Sequence, residues 1–276
     1  MANKEDWMGR VGAEWARFEP ALDRLLGPAG AAGVEKLAPS LGERILDLGC
    51  GAGASSELIA KAVGPDGQVV AIDVSPDLIA LAHDRLSDHD NVEIRQEDAQ
   101  IAEFPRQSFD ALYSRFGSMF FNDPAEAFRN LHRALKPGGR AVFVAWQEPA
   151  RNQWASVPMT FVQEGTTPGV TGPGPGPFAW ADPSVFRPIL ESAGFSSVQE
   201  NTTEFMAEIA LGDDPDPVAR AANFLVHIGP MARRMRETSE TGRHETAQFL
   251  ARRLKRHVKD GAVRLLASAW IIEAQA

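Results

Sequence analysis

The sequence has little of what builds disulfide-linked, zinc-bound or membrane-spanning folds. It contains one cysteine, Cys50, among 276 residues, which excludes an intrachain disulfide and a zinc site made of cysteine thiolates. It lacks a run of about eighteen apolar residues, the length that a membrane-spanning helix needs, and its charged N-terminus lacks the apolar core of a signal peptide. We therefore predict no metal site and no membrane span, and we expect a cytoplasmic protein.

Charge and length restrict the class further. The chain has 28 Lys and Arg residues against 37 Asp and Glu residues, so its formal net charge is −9. This acidic balance disfavours a large nucleic-acid surface, and we predict no nucleic-acid partner. With 44% hydrophobic residues, the chain can bury a large core. Its length suits one elaborated domain better than two independent ones, and the pattern defines no oligomeric state.

A glycine-rich turn directly after an apolar strand is the most informative feature that is present. Residues 45–53 read Ile-Leu-Asp-Leu-Gly-Cys-Gly-Ala-Gly, and helix-compatible residues 54–61 follow. Glycines permit a sharp turn and a close approach of a ligand to the backbone, while the next helix presents free N–H groups at its N-terminus. Asp73 closes the next predicted strand, residues 68–72, where a carboxylate can accept hydrogen bonds from both ribose hydroxyls. This pairing predicts a nucleotide-cofactor site.

Two cofactors fit this turn. Residues 49–54 match the dinucleotide fingerprint G-x-G-x-x-G/A, which keeps an NAD(P)-dependent oxidoreductase open. Asp47 favours S-adenosylmethionine, because a carboxylate at the strand end repels a pyrophosphate but attracts an ammonium or sulfonium group. The only tyrosine, Tyr113, is followed four residues later by Gly117. The Tyr-x-x-x-Lys arrangement of short-chain dehydrogenases is therefore absent.

The first half of the chain alternates strands and helices. Strands are predicted over 91–96, 108–114 and 140–146, with a helix over 124–135 before the last of them. This alternation indicates a doubly wound, mostly parallel α/β sheet. Asp98 follows the third strand, where its carboxylate can accept a hydrogen bond from an adenine amine.

Three additions surround this core. Residues 7–38 carry apolar residues at helical spacing, Trp7 and Trp15 among them, and predict a helical cap over the site. Residues 165–177 are rich in Gly and Pro and predict a loop, which acts either as a lid or as a plain solvent loop. Beyond the loop, the pattern predicts helices over 183–192, 217–228 and 240–259 and strands over 198–211 and 263–273.

Five ordered motifs resemble the class I S-adenosylmethionine-dependent methyltransferases. They are Leu46-Asp47-Leu48-Gly49-Cys50-Gly51-Ala52-Gly53, Val70-Ala71-Ile72-Asp73-Val74-Ser75, Glu97-Asp98-Ala99, Phe109-Asp110-Ala111 and Leu135-Lys136-Pro137-Gly138-Gly139-Arg140. Residues 114–121, Trp146 and residues 151–154 carry a narrower likeness to the small-molecule branch similar to ubiquinone and menaquinone biosynthesis methyltransferases. The resemblance implies a Rossmann-like sheet of seven strands whose last two form an antiparallel hairpin.

The resemblance also implies an activity and a division of the chain. The activity is methyl transfer from S-adenosylmethionine, with S-adenosylhomocysteine as product, to an oxygen or carbon, less readily a nitrogen, of an apolar or aromatic small molecule. The alternatives are the oxidoreductase and a non-catalytic S-adenosylmethionine-binding regulatory protein. We divide the chain into a helical cap, residues 1–40, and a cofactor-binding core, residues 41–147. Residues 148–276 are expected to complete the same domain with the loop, a helical insertion and the antiparallel strands.

The candidate site residues follow from these patterns. We expect cofactor contacts from Asp47, Gly49, Cys50, Gly51, Gly53, Asp73, Val74, Asp98, Ala99 and Ser114. We expect an acceptor pocket from Phe116, Met119, Phe120 and Trp146. No catalytic residue is defined. The candidates are His227, as a base that titrates near neutrality, and Arg115, as a group that orients an acceptor oxygen or carboxylate, and each also fits a packing role.

Overall fold

A mixed sheet forms the centre of the protein, which is described here by a computed structural model. The structure describes residues 4–160, 174–211, 215–236 and 238–276. In chain order the strands are β1 (Arg44–Leu48), β2 (Gln68–Asp73), β3 (Val92–Gln96), β4 (Phe109–Arg115), β5 (Leu135–Trp146), β6 (Ser196–Ala210), β7 (Val258–Lys259) and β8 (Ala262–Gln275).

Helices precede and alternate with these strands. They are α1 (Lys4–Met8), α2 (Arg10–Arg17), α3 (Glu19–Leu37), α4 (Ala54–Val63), α5 (Pro76–Arg85), α6 (Pro124–Ala134), α7 (Gln153–Met159), α8 (Pro183–Ser192), α9 (Pro217–His227), α10 (Pro230–Arg236) and α11 (Glu240–Leu254). Within the described ranges, no helix combines the length and the apolar character that crossing a bilayer requires.

Several helices begin at a polar residue followed by proline. The polar side chain accepts a hydrogen bond from a backbone N–H of the first turn, and proline there gives up an N–H that has no helical partner. Asp123, for example, accepts from the N–H of Glu126 at 2.9 Å. The same arrangement starts α5 at Ser75-Pro76, α8 at Asp182-Pro183 and α9 at Asp216-Pro217. The predicted starts of α6, α8 and α9 are confirmed at the residue.

The strand order places a crevice at the carboxyl ends of the central strands. The order is β3-β2-β1-β4-β5-β8-β6, with β7 added to β8. Strands β1 to β5 pair in parallel, while β8 runs antiparallel to both β5 and β6. From β1 the chain continues to β2 and then β3 on one side, and it returns to β4 on the other side of β1. A ligand crevice therefore opens beyond the carboxyl ends of β1 and β4. The predicted α/β fold class is confirmed.

Within the described residues the sheet has eight strands, where the family resemblance implied seven. The additional strand, β7, lies inside the segment predicted as a helix over 240–259; that helix ends at Leu254 instead. Asp260 and Gly261 both have positive φ, 51° and 78°, and join β7 to β8. Asp-Gly is the preferred pair for a two-residue hairpin turn of this conformation. The turn signal therefore overrides the helical composition of the residues before it.

The long cap helix α3 packs closely on the sheet because small residues face it. A Cβ on Gly33 would lie 2.6 Å from Val144 Cγ2 and 2.9 Å from the Tyr113 hydroxyl. One turn earlier, the Tyr113 hydroxyl donates to the carbonyl of Gly30 at 2.8 Å. Glycine at these positions lets the helix backbone approach β4 and β5, and this approach fixes the N-terminal half of α3 beside the crevice.

The helical insertion between β6 and β8 supports the cap from the other side. The ring of Phe18 packs edge-on against Phe224 of α9, with 5.8 Å between ring centroids. Arg236 of α10 lies 3.9 Å from the carboxylate of Asp6 in α1. Of the predicted Pro/Gly loop, residues 174–177 are described, and Gly176 donates its N–H to the carbonyl of Met119 at 2.9 Å; the rest lies outside the described residues. The division of the chain at residues 40 and 147 stays a prediction.

Gly33→Ala should lower the free energy of unfolding by about 1–2 kcal/mol. Overpacking costs about 1–3 kcal/mol, and the higher helix propensity of alanine offsets up to about 1 kcal/mol of it. Urea unfolding followed by circular dichroism measures the change. Glu35→Ala, on the exposed face of the same helix, is the control and should stay within about 0.5 kcal/mol of the parent protein. A more stable Gly33→Ala variant would contradict the close packing of α3.

Candidate functional site

A cavity occupies the crevice at the carboxyl ends of the central strands, under the cap. Its empty volume, including the mouth, is about 1080 Å³. The turn after β1, the residues that follow β2, β3 and β4, and helices α1 to α3 form its wall. This position is the one that open parallel sheets use for ligands.

Each glycine of the turn occupies its position for a different structural reason. Gly49, Gly51 and Gly53 all have positive φ, a region that favours glycine. A Cβ on Gly49 would lie 2.9 Å from the Cα of Gly117, so this position keeps β1 and β4 close. A Cβ on Gly51 would meet no described atom within 4 Å, and Gly51 lines the cavity. Gly51 therefore presents open backbone to a ligand, whereas Gly53 packs near Leu86, outside the cavity wall.

Asp73 fixes the turn relative to the second strand. Its Oδ2 accepts from the N–H of Gly51 and its Oδ1 accepts from the N–H of Ser75, each at 2.9 Å. Burial raises the pKa of Asp73, and these backbone donors act against that rise. Asp73 and Val74 both line the cavity. Each carboxylate oxygen keeps a second lone pair, which is the acceptor capacity that a ribose diol requires.

Asp47 lies beneath the turn and does not line the cavity. Its side chain is fully buried. Its Oδ2 accepts from the Ser56 hydroxyl at 2.6 Å, while its Oδ1 has no hydrogen-bond partner within the described part of the chain. Burial raises the pKa of Asp47 to about 6, against the lowering effects of the Ser56 hydrogen bond and of the nearby Arg115 charge. The expected role of Asp47 near a cationic ligand group stays a prediction.

The cavity wall after β3 carries Asp98 and Ala99, and their expected adenine contact stays a prediction. Asp98 Oδ1 accepts from the N–H of Gln100 at 3.0 Å, and Oδ2 lies 3.0 Å from Lys4 Nζ. Lys4 was not predicted at the site, because Lys4 lies in an N-terminal stretch without a motif. Its place at the site depends on how α1 folds back over the core.

Cys50 and Ser114 are both buried near the glycine turn. Cys50 lines the cavity, and burial raises the pKa of its thiol well above the ordinary value, so the thiol is neutral and a poor nucleophile. The Ser114 hydroxyl donates to the carbonyl of Leu48 at 2.9 Å and accepts from the N–H of Ser118 at 3.1 Å. Ser114 therefore ties β4 to β1 behind the wall of the cavity.

The aromatic residues form two layers. Phe116 and Phe120 line the cavity, together with Trp7 from the cap. Phe116 stacks on Trp146, with 4.1 Å between ring centroids and 18° between planes, and Phe120 meets Trp7 edge-on at 5.1 Å. Trp146 and Met119 are buried behind the wall instead of facing the cavity. Of the four residues predicted for the acceptor pocket, the structure brings two to the cavity.

His227 lies outside the cavity wall. Its Nδ1 is 2.8 Å from the carbonyl oxygen of Asn223, and its ring packs on Phe18 at 5.4 Å between centroids. Arg115 does line the cavity, and its guanidinium lies 3.7 Å from the carboxylate of Asp23. Of the two candidates for a catalytic role, the structure therefore places Arg115 at the cavity and His227 outside its wall.

Two carboxylates of the cap were missed by the sequence analysis. Glu19 and Asp23 line the cavity and both accept hydrogen bonds from Arg85. Arg85 also donates to the carbonyl of Ala52 in the glycine turn at 3.2 Å. The available signal was spacing: the two acids are four residues apart, beside the buried Leu22, on a helix already predicted to cover the site.

A comparison with protein families and known proteins adds to what the fold and the site show. Residues 45–139, from β1 into β5, match the family model described as a methyltransferase domain. The chain resembles the class I S-adenosylmethionine-dependent methyltransferases in its sheet, its glycine turn and its family match.

Individual relatives narrow the likeness. The ubiquinone/menaquinone biosynthesis C-methyltransferase UbiE of Hahella chejuensis is 32% identical over 119 residues, which are 42% of this chain and 48% of that protein. A SAM-dependent methyltransferase structure from Aquifex aeolicus has a TM-score of 0.51 at 21% identity and covers 69% of this chain and 90% of that one. The (4+2)-cyclase SpnF has a TM-score of 0.57 at 17% identity and covers 99% and 97%. The chain spans about half the length of the curated relatives it matches.

Asp47 gives the stability of the protein a defined pH dependence. The folded-state pKa of about 6 exceeds the ordinary value of 3.8, so the folded protein binds the extra proton between these values and stability falls as pH rises through that window. Asp47→Asn removes this titration. The unfolding free energy of the parent minus that of Asp47→Asn should fall by about 3 kcal/mol from about pH 3.5 to about pH 7. Urea unfolding at both pH values measures it, and a constant difference would contradict the raised pKa of Asp47.

Proposed function

We propose that the protein is an S-adenosylmethionine-dependent methyltransferase that acts on an oxygen or carbon of an apolar or aromatic small molecule. One observation carries the proposal. A single cavity joins the open backbone of Gly51 and the carboxylates of Asp73 and Asp98 to an aromatic wall that includes Phe116 and Trp7. A nucleoside cofactor and an apolar acceptor therefore have adjoining walls of suitable chemistry.

The residues present fit S-adenosylmethionine. Gly51 offers an uncovered backbone cradle, Asp73 keeps acceptor capacity for a ribose, and Asp47 adds a buried carboxylate beneath the turn, behind the cavity wall. The cofactor's ammonium group and sulfonium are the cations that such an acidic region attracts. The donors and charges of this wall thus match a cationic nucleoside.

The charge of the wall disfavours the oxidoreductase alternative. The described wall holds five carboxylates against two cations, Lys4 and Arg115. Its acids are Glu19, Asp23, Asp73, Glu97 and Asp98. A dinucleotide would bring a pyrophosphate into this field, and repulsion between like charges opposes that binding. The wall therefore favours a cofactor that carries positive charge and no phosphate.

Methyl transfer requires the protein chiefly to position the acceptor and to exclude water from the reacting atoms. S-adenosylmethionine supplies an activated methyl group on a sulfonium. Phe116, Phe120 and Trp7 provide apolar surface that can orient a planar acceptor and keep water from the reacting atoms. A transfer in which an anionic acceptor meets a cationic sulfur destroys charge, and a cavity of low polarity favours such a step.

An acceptor that ionises easily suits this cavity best. His227 lies outside the wall, and the thiol of Cys50 stays neutral. A phenol or an enolisable ring carbon can reach its reactive anion without a strong protein base. The Hahella relative is named as a C-methyltransferase of ubiquinone and menaquinone biosynthesis, which supports carbon as the acceptor atom. We propose a hydroquinone ring, the reduced form that carries ionisable phenols, as the first substrate class to test.

Transfer of label from methyl-labelled S-adenosylmethionine into fractionated host extract tests the proposed activity. We expect label in small apolar metabolites, and mass spectrometry then identifies the acceptor. Label confined to protein or nucleic acid would contradict the substrate class. Tight S-adenosylmethionine binding without transfer to any fraction would instead favour the regulatory alternative. Binding of NAD(H) in place of S-adenosylhomocysteine would favour the oxidoreductase.

Asp73→Ala should weaken S-adenosylhomocysteine binding by about 1–3 kcal/mol, because charge-assisted hydrogen bonds to the ribose are lost. Isothermal titration calorimetry measures the affinity. Asp77→Ala removes the same charge four residues away, from an exposed position outside the cavity wall, and should leave the affinity unchanged. Equal affinity of Asp73→Ala and the parent protein would contradict the ribose contact.

A further inference from the structure

We propose that Arg115 binds the carboxylate at the methionine end of S-adenosylmethionine. This inference rests on the proposed function, and it assigns Arg115 to the cofactor instead of the acceptor. Three features carry it: the order of the strands, the distribution of cations along the cavity, and the way α3 holds the Arg115 side chain.

The order of the strands determines how a nucleoside can lie along the cavity. β3, β2, β1 and β4 are successive neighbours in the sheet, and adjacent strands lie about 4.8 Å apart. Asp98 follows β3 and Asp73 ends β2. With the adenine at Asp98 and the ribose at Asp73, continuing in the same direction places the amino-acid end over β1 and β4.

The pairing of β1 with β4 places Arg115 at that end. Asp47 of β1 is paired with Tyr113 of β4 in parallel register. Two residues further along each strand stand Gly49, the first glycine of the turn, and Arg115. Both line the cavity. Arg115 therefore stands at the level of the turn, two strands beyond β2, where the ribose is placed.

Arg115 is the cation that this end of the cavity offers. The described wall contains two cations, and the other, Lys4, lies 3.0 Å from Asp98 at the adenine end. The ion pair of Arg115 with Asp23 has an N···O distance of 3.7 Å, which is longer than a hydrogen bond. Within the described residues, its guanidinium donors are thus free for a bidentate acceptor, and a carboxylate has that geometry.

Helix α3 holds the Arg115 side chain in this direction. A Cβ on Gly30 would lie 2.7 Å from Arg115 Cδ, so the aliphatic stem runs along the glycine surface of the helix. Seven residues earlier on α3, Asp23 accepts a hydrogen bond from Arg85 while it faces Arg115. Gly30 and Asp23 are therefore positioning residues. They hold an arginine whose side chain is only 11% exposed.

Calorimetric titration with two ligands tests the assignment. The ligands are S-adenosylhomocysteine and its decarboxylated analogue, which keeps the adenosine, the sulfur and the amino group. Arg115→Gln should weaken S-adenosylhomocysteine binding about tenfold to hundredfold and change binding of the analogue less than about twofold. Arg115→Lys should fall between parent and Arg115→Gln for S-adenosylhomocysteine, because it keeps the charge but loses the bidentate fork.

Lys4→Gln is the matched control at the other end of the cavity. It removes the second cation of the described wall and should change the affinity for both ligands by the same factor. If Arg115→Gln does not fold, Gly30→Ala replaces it, since its Cβ displaces the Arg115 stem and should also reduce the preference for the carboxylate.

Two results would overturn the inference and leave the proposed function standing. One is an equal loss of affinity for both ligands in Arg115→Gln, which assigns the residue a general structural role. The other is unchanged affinity for S-adenosylhomocysteine. If the parent protein itself binds neither ligand, the proposed function fails. The two failures are therefore distinguished by the behaviour of the parent.

Discussion

The two hydrogen bonds that Asp73 accepts are the interaction on which the site depends. One donor is the N–H of Gly51, in the turn after β1, and the other is the N–H of Ser75, at the start of α5. A single carboxylate thus fixes the turn against the second strand before a ligand binds. The same carboxylate faces the cavity, so the group that shapes the backbone cradle also belongs to the binding surface. Under the proposed function, structural support and ligand recognition are coupled in this residue.

The cap depends on this arrangement through Arg85. Its guanidinium joins the carbonyl of Ala52, in the turn, to the carboxylates of Glu19 and Asp23, in α3. A displaced turn would move one end of this network and would unpair charges that lie at the cavity wall. The position of the cap therefore depends on the shape of the turn through the contacts of Arg85. The packing of the α3 glycines on the sheet is a second contact that holds the cap.

The parts of the structure that could be predicted from sequence are those with local causes. The glycine turn, the carboxylate after β2 and the helix starts at Asp-Pro pairs depend on residues next to one another in the chain. The short strand β7 also had a local signal, Asp260-Gly261, which helical composition obscured. Lys4, Glu19 and Asp23 had no comparable signal, because their place at the cavity depends on the packing of the cap over residues distant in sequence.

The aromatic wall shows a second limit of pattern reasoning. Phe116 follows β4 with φ of +62°, so the alternation of the strand does not continue through it. Its ring turns towards the cavity and stacks on Trp146, which consequently lies behind the wall. A prediction from composition alone treats these two aromatics as equivalent. Backbone conformation at one residue decides which of them faces a ligand.

The shape of this wall, more than the fold, determines what the cavity can accept. One fold supports many reactions, so the choice of acceptor has to come from side chains at the site. Here the acids lie at the ends of β2 and β3 and on α3, while Trp7, Phe116 and Phe120 form the apolar part. Positive charge is favoured near the acids, and planar apolar groups are favoured at the rings. The proposed methyl transfer uses both surfaces at once, the acids for a cationic cofactor and the rings for an aromatic acceptor.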